Sequence, residues 1–263
     1  MPRDWDWDET LFRGSAPFYV RGRLPYPAGL AAAMVEALDL NGVQRLIDVG
    51  CGPGLIALLL APWCAEVVGV DPDPDMLVEA EHAATARGID NARWVCARAE
   101  DLPLGLGVFS VATFAQSFHW MQRERVAAVV YDMLEPRGAF VQVSANTEPT
   151  RDLPEVQALV RQYLGADRRA GQGVLRFGTP GDEHSVLRQA GFGEAEIVRV
   201  PGGALLERDV EDVVAAVFAN SASAPHLFGD RLAEFESELR HVLGDTPNRT
   251  FVTPDVEVRI WRK

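Results

Sequence analysis

Cysteine is scarce in this 263-residue chain: Cys51, Cys64 and Cys96 are all there are, and none stands in C-x-x-C spacing. Three unmatched thiols build neither a disulfide framework nor a zinc site, so they read as reduced thiols with no resident metal. Two of them lie in or beside predicted buried strands. Long apolar runs are also missing. Nothing approaches the ~18 residues that a membrane-spanning helix requires, and the most apolar stretch, 55–61, is closed by Pro62. The amino-terminal MPRDWDWDE is acidic and aromatic and lacks the basic-then-apolar order of a signal peptide. Basic charge is short as well: 25 Lys and Arg face 38 Asp and Glu, for a net charge of −13. Nucleic acids are held by Lys and Arg on their phosphates, so the expected partner is a small molecule, with no nucleic acid and no membrane. No internal repeat or low-complexity segment is present. The expectation is a cytoplasmic protein, monomer or homodimer.

What is present is enough apolar material for a large core, 48% of residues, in a length that suits one α/β sheet with a cap. Residues 45–54, RLIDVGCGPG, are the most informative. Leu46, Ile47 and Val49 make a short apolar run typical of a buried strand. Gly50, Gly52 and Gly54 follow at alternate positions before a helical stretch. Glycine permits positive φ and lets a ligand lie against the main chain. A strand, a glycine loop and a helix N-terminus together make a nucleotide-binding turn. The dinucleotide fingerprint G-x-G-x-x-G would put its third glycine at Leu55, so that spacing fails.

The pattern that is present, Asp48-x-Gly50-x-Gly52-x-Gly54, resembles the first motif of the class I S-adenosylmethionine-dependent methyltransferases. The resemblance implies S-adenosylmethionine as cofactor, with Asp48, Gly50, Cys51, Gly52 and Gly54 around its methionine part. VVGVDPDPDML, 67–77, resembles the second motif and brings Asp71, Pro72 and Met76. A carboxylate about 20 residues past the glycine loop is placed to accept from both ribose hydroxyls. The plainer role for Asp71 is a helix N-cap, with Pro72 opening the helix. The segment AEDLP, 99–103, resembles the adenine-binding loop, with the preceding Arg98, the Ala99 backbone and Glu100 or Asp101 as candidates; many relatives carry Asp or Asn where this chain has Arg98.

Strands are predicted at 45–49, 66–70, 92–96, 108–114, 138–144, 194–200 and 255–261. Helices are predicted over 27–40 (ended at Asn41-Gly42), 54–62, 74–87 and 123–134, with Pro136-Arg137-Gly138 as a tight link. This alternation predicts an α/β doubly wound, mostly parallel seven-stranded sheet, and the resemblance implies an antiparallel edge hairpin from the last two strands. Within one domain, 28–145 is the expected cofactor-binding core, and 186–201 and 251–263 are the edge strands. Segments 1–27, 146–185 and 202–250 are the expected helical lid and acceptor-binding insertions, which would exclude water.

Methyl transfer is an in-line displacement in which positioning supplies much of the rate. A hydroxyl acceptor must also lose a proton, and His is the usual base near neutral pH. His119 in Gln116-Ser117-Phe118-His119-Trp120 follows strand four, at the carboxyl edge where open sheets bind ligands. It is the candidate base, with a packing role as its alternative, and Gln116 is a candidate cofactor contact. His82, His184, His226 and His241 read as solvated or structural. FYVRGRLPYP, 18–27, resembles the entry segment of the trans-aconitate and small-molecule methyltransferase branch. It supplies Tyr19 and Arg23 as contacts, while Trp5, Trp7, Phe12 and Phe18 either cover the substrate or plug the core. The expected function is methyl transfer to a small molecule at oxygen. The alternatives are carboxyl, N- or C-methylation, a nicotinamide-dependent oxidoreductase, and a silent cofactor-binding protein.

Overall fold

The computed structural model describes residues 8–171, 173–174, 181–244 and 249–263; Trp5 and Trp7 lie outside them. Five strands run parallel: β1 (Arg45–Val49), β2 (Glu66–Asp71), β3 (Ala92–Cys96), β4 (Phe109–Ala115) and β5 (Leu134–Ala145). Two two-residue strands follow, β6 (Arg169–Ala170) and β7 (Gly173–Val174), then β8 (Ala195–Val200), β9 (Leu205–Arg208), β10 (Arg249–Val252) and β11 (Val256–Arg262). The main sheet has the order β3-β2-β1-β4-β5-β11-β8, seven strands in all. β11 is antiparallel to both neighbours, β5 and β8, so the expected antiparallel edge pair is present.

Strand side chains alternate between two apolar layers, as the pleat requires. Ile47, Val49, Val68, Val70 and Phe114 face one layer with α5 (Arg123–Met133) and α7 (Glu183–Ala190). Leu46, Val67, Val111, Val141 and Ile260 face the other with α2 (Leu30–Leu38) and α3 (Leu55–Leu60). On that side α4 (Pro74–Arg87) runs beside α3 along β2 and β3.

Local chemistry departs from expectation in three places. Helix α2, predicted over 27–40, closes at Asp39 in the left-handed region (φ 52°) rather than at Asn41-Gly42. The next residue, Leu40, donates back to Val35 O and buries its side chain, a Schellman-type closure that overrides the glycine signal. Pro136-Arg137-Gly138 is not a separate link but lies within β5, whose pairing with β4 shifts register between Phe109 and Val111. Cys96 is exposed, because β3 is the sheet's edge strand, whereas Cys51 and Cys64 are buried.

A third apolar cluster is separate from the sheet layers. It joins α6 (Pro154–Leu164), α8 (Val210–Phe218) and α9 (Leu232–Leu243) through Val156, Leu159, Val213, Val217, Phe218 and Phe235. The aromatic ring of Phe228 stacks on Phe235 with centroids 4.0 Å apart. α1 (Ala16–Gly22) docks on α8, where Gly22 is required: a Cβ there would meet Ala215 O at 2.4 Å. Among the described residues no helix is long and apolar enough to cross a membrane.

Candidate active site

The carboxyl ends of β1, β2 and β4 open into a cleft lined by Gly50, Gly52, Asp71, Met76, Ala99 and Gln116, among others. The glycine loop turns sharply at its mouth. Gly50 and Cys51 both donate to Val70 O (2.7 and 3.1 Å), which ties the loop to β2. Gly50 has φ 68°, and a Cβ there would sit 2.5 Å from Ser117 Cβ, so no other residue fits without displacing the β4 end. Ser117 is itself pinned, its hydroxyl donating to Val49 O at 2.6 Å.

Asp71 spans the loop and the following turn. Its Oδ2 accepts from Gly52 N at 2.8 Å and its Oδ1 from Asp73 N at 2.9 Å. Each oxygen has capacity for a further donor, and the residue lines the cleft. The N-cap of α4 is Asp73, which accepts from Asp75 N, with Pro74 opening the helix; the N-cap role considered for Asp71 is therefore taken by its neighbour. Burial pushes the Asp71 carboxyl up to about 6 despite its two backbone donors.

Asp48 lies behind the loop rather than in the cleft. Fully buried, it accepts from Thr113 Oγ1 (2.7 Å) and from Ala57 N (3.1 Å) in the first turn of α3. It thereby fixes the helix to the sheet, and burial pushes its carboxyl up to about 7. Cys51 is buried beneath the loop, where burial raises its thiol well above the usual range. Gly54, in the left-handed region at the head of α3, answers to Trp94: a Cβ there would meet the indole Cη2 at 2.7 Å.

Pro72, Met76, Arg98, Ala99, Glu100, Gln116 and Tyr19 line the cleft as the sequence places them. Glu100 is also structural: buried, it accepts from Gln122 N at 2.8 Å and lies 3.5 Å from Arg98 Nε. Asp101 turns away and accepts from Arg98 N. Sequence reasoning missed Glu9, Leu11, Asp73, Ala115, Ser117, Trp120 and Met121, which also line it. Only the position of Ser117 and Trp120 beside Gln116 hinted at them.

Phe12, Tyr19, Gln116 and Trp120 also border a second, adjoining cleft, onto which His119 opens. Gln116 sits at the junction with φ 58°, its side-chain amide donating to Ala145 O. Arg23 belongs to this second compartment. Its Nη1 pairs with Glu148 at 3.2 Å, its Nη2 donates to Ala219 O at 2.8 Å, and its guanidinium lies 4.9 Å from the Tyr19 ring centroid. Phe18 packs into the third apolar cluster, against Phe218. His119 stands in the turn Phe118–Trp120, its ring 4.8 Å from that of Trp120. Crowding by protein, then the positive charges of Arg168 and Arg123, lower its pKa to about 4. The imidazole is thus neutral at physiological pH and keeps a lone pair. His184 stands elsewhere, its Nδ1 accepting from Trp261 Nε1 at 3.3 Å.

The comparisons agree with this geometry. Residues 46–138 match the model of a family described as a methyltransferase domain. The chain is 32% identical over 176 residues to demethylmenaquinone methyltransferase of Thermus thermophilus, an alignment covering 60% of this chain and 79% of that protein. It is 28% identical over 148 residues to the uncharacterized methyltransferase YcgJ of Bacillus subtilis, covering 55% of this chain and 58% of that one. The YcgJ crystal structure superposes with a TM-score of 0.54 at 17% identity, over 89% of this chain and 97% of that chain, a likeness of fold. With the glycine spacing, the strand order and the Thermus relative in agreement, the chain belongs to the class I S-adenosylmethionine-dependent methyltransferases.

Proposed function

We propose that the enzyme methylates an oxygen of a small-molecule acceptor, with S-adenosylmethionine in the first cleft, the acceptor in the second, and His119 as the base. The observation that carries this reading is the shared wall: Phe12, Tyr19, Gln116 and Trp120 border both clefts, and His119 opens only on the second. The first cleft fits the cofactor. Gly52, with φ 52° and no protein atom within 4 Å of where a Cβ would stand, leaves the main chain bare on the cleft, and Asp71 offers unused lone pairs on both oxygens to two ribose hydroxyls. The Ala99 backbone and Arg98 line the remaining wall, where an adenine edge would lie.

Bound S-adenosylmethionine supplies a methyl group on a positively charged sulfur, open to attack by an oxygen lone pair. The chain's task is alignment and proton removal. Phe12, Tyr19 and Trp120 place apolar and aromatic surface at the junction, excluding water from it. A hydroxyl oxygen becomes acidic as its new bond to carbon forms, and the neutral His119 ring accepts its proton at that stage. A base with a pKa of about 4 is too weak to strip an alcohol beforehand. Proton transfer therefore comes late.

The small-molecule acceptor is supported by two observations. The Thermus relative is named for demethylmenaquinone, and the surplus of acids over bases disfavours phosphate backbones. The test is release of S-adenosylhomocysteine from S-adenosylmethionine across a panel of hydroxylated small molecules, comparing wild type with His119→Gln. General-base assistance is typically worth about 10²–10⁴ in rate, so kcat should fall by that order while cofactor affinity stays unchanged. Activity within a fewfold of wild type would make His119 a packing residue, and the methylated oxygen one that carries no proton.

A further inference from the structure

We propose that the acceptor carries a carboxylate, which Arg151 and Arg168 hold at the outer wall of the cleft onto which His119 opens. This rests on the acceptor occupying that cleft. Arg151 stands in the turn Pro149–Asp152, and Arg168 between α6 and β6; both line the cleft with His119. Both are exposed side chains, and neither has a carboxylate within ion-pairing distance among the described residues. The single acid on the lining, Glu148, is engaged by Arg23. Arg23 in turn keeps a buried Nε with no hydrogen-bond partner.

The cleft is therefore lined by three guanidinium groups and one carboxylate. That balance is opposite to the −13 of the chain as a whole. An excess of arginine continues outward, where Arg161 and Arg169 join Arg151 and Arg168 along the groove beside α6 against Glu148 and Asp167. Unpaired cations gathered at one concave site repel one another and are relieved by an anion. A carboxylate suits them because its two oxygens match the planar donors of guanidinium. The trans-cleft influence of Arg168 on His119 is a separate sign that the two share one space.

An acceptor anchored by its carboxylate at Arg151 and Arg168 has its other end directed toward His119 and the shared wall. A hydroxy acid would then offer its hydroxyl to the base. The anchor also raises the basicity of His119, since a bound negative charge offsets that of Arg168.

The test uses the full chain saturated with S-adenosylhomocysteine and two matched probe pairs. These are 4-hydroxybenzoate with 4-hydroxybenzamide, and phenylacetate with phenylacetamide, measured by calorimetry. Each carboxylate should bind at least tenfold more tightly than its amide, and less tightly as salt is raised. The double variant Arg151→Gln, Arg168→Gln should bind acid and amide alike while binding S-adenosylhomocysteine as wild type does. In histidine-labelled protein, the carboxylate and not the amide should move the His119 titration upward. Equal binding of acid and amide by wild type, a preference that survives in the double variant, or no carboxylate binding at millimolar concentration would each overturn the proposal. Failure of wild type to bind S-adenosylhomocysteine would instead overturn the placement of the cofactor on which the proposal rests.

Discussion

Replacing Asp71 with asparagine changes one atom and tests the cofactor site directly. In the wild type each carboxylate oxygen accepts one backbone N–H, from Gly52 at 2.8 Å and from Asp73 at 2.9 Å, and has capacity for a ribose hydroxyl besides. Asparagine keeps one accepting oxygen. Its amide nitrogen faces a backbone donor on one side, so one loop bond and one ribose bond are lost together. Hydrogen bonds to a charged acceptor are worth about 1.5–3 kcal/mol, and about 1.4 kcal/mol is a factor of ten in affinity. The expected loss for S-adenosylhomocysteine is therefore on the order of 10- to 100-fold. The same substitution should also remove a pH dependence. With the carboxyl at about 6, the accepting form is nearly complete at pH 7, whereas only about a tenth of it remains at pH 5. Wild-type affinity should then fall about tenfold between those values, and Asp71→Asn affinity should stay flat. Calorimetry at pH 5, 6, 7 and 8 reads both effects, with a thermal melt to establish that the variant is folded. An unchanged affinity at pH 7, or an equal pH dependence in the variant, would refute the assignment of Asp71 to the ribose.

Two further substitutions test what holds the site in place. In Gly69→Ala, the new Cβ would lie 2.4 Å from Trp94 Cε3 and 2.9 Å from Cys51 Sγ. Overpacking of this kind typically costs about 1–3 kcal/mol, read in urea unfolding, and Trp94→Leu in the same chain should return part of it; strict additivity would show that Trp94 is not the obstacle. The second is Asp48→Asn. Burial holds Asp48 at about 7 in the native state, above the ordinary value of the unfolded chain. The native state therefore binds the extra proton between those values, and the stability linked to Asp48 is lost as pH rises through 7. Asparagine does not titrate, so the stability gap between variant and wild type should narrow or reverse from pH 5 to pH 8. A gap that is constant with pH would mean that Asp48 does not carry this linkage.

Much of the fold is written in neighbouring residues. The apolar runs 46–49 and 67–70 mark buried strands, and α4 spans 74–87 as the sequence predicts. Such signals are local, because a strand or helix is set by the period of its own side chains and by the residues that cap it. The glycine loop and the acid at the end of β2 were legible for the same reason: both belong to one β-loop-α-β unit. The choice between two local roles was not legible. Asp71 and Asp73 each precede a proline, and only the geometry assigned the helix cap to Asp73 and left Asp71 facing the cleft.

What tertiary structure alone decided are the contacts between distant segments. Gly54 is required by Trp94, forty positions on in another strand; Glu100 holds the turn after β4 through Gln122 N. Arg23 lies outside the first cleft because Glu148 and the carbonyl of Ala219 hold its guanidinium in the neighbouring one. Arg151 and Arg168 stand far from His119 along the chain but line the same cavity. No periodicity or spacing records such pairs, because each joins segments distant in the chain that only the tertiary packing brings together. The sequence by itself determined the strand order's ingredients, the cofactor loop and the class of chemistry. The packing of the segments after β5 against the sheet decided which charges line the second cleft, since charge in a cleft is a sum over segments that only folding brings together.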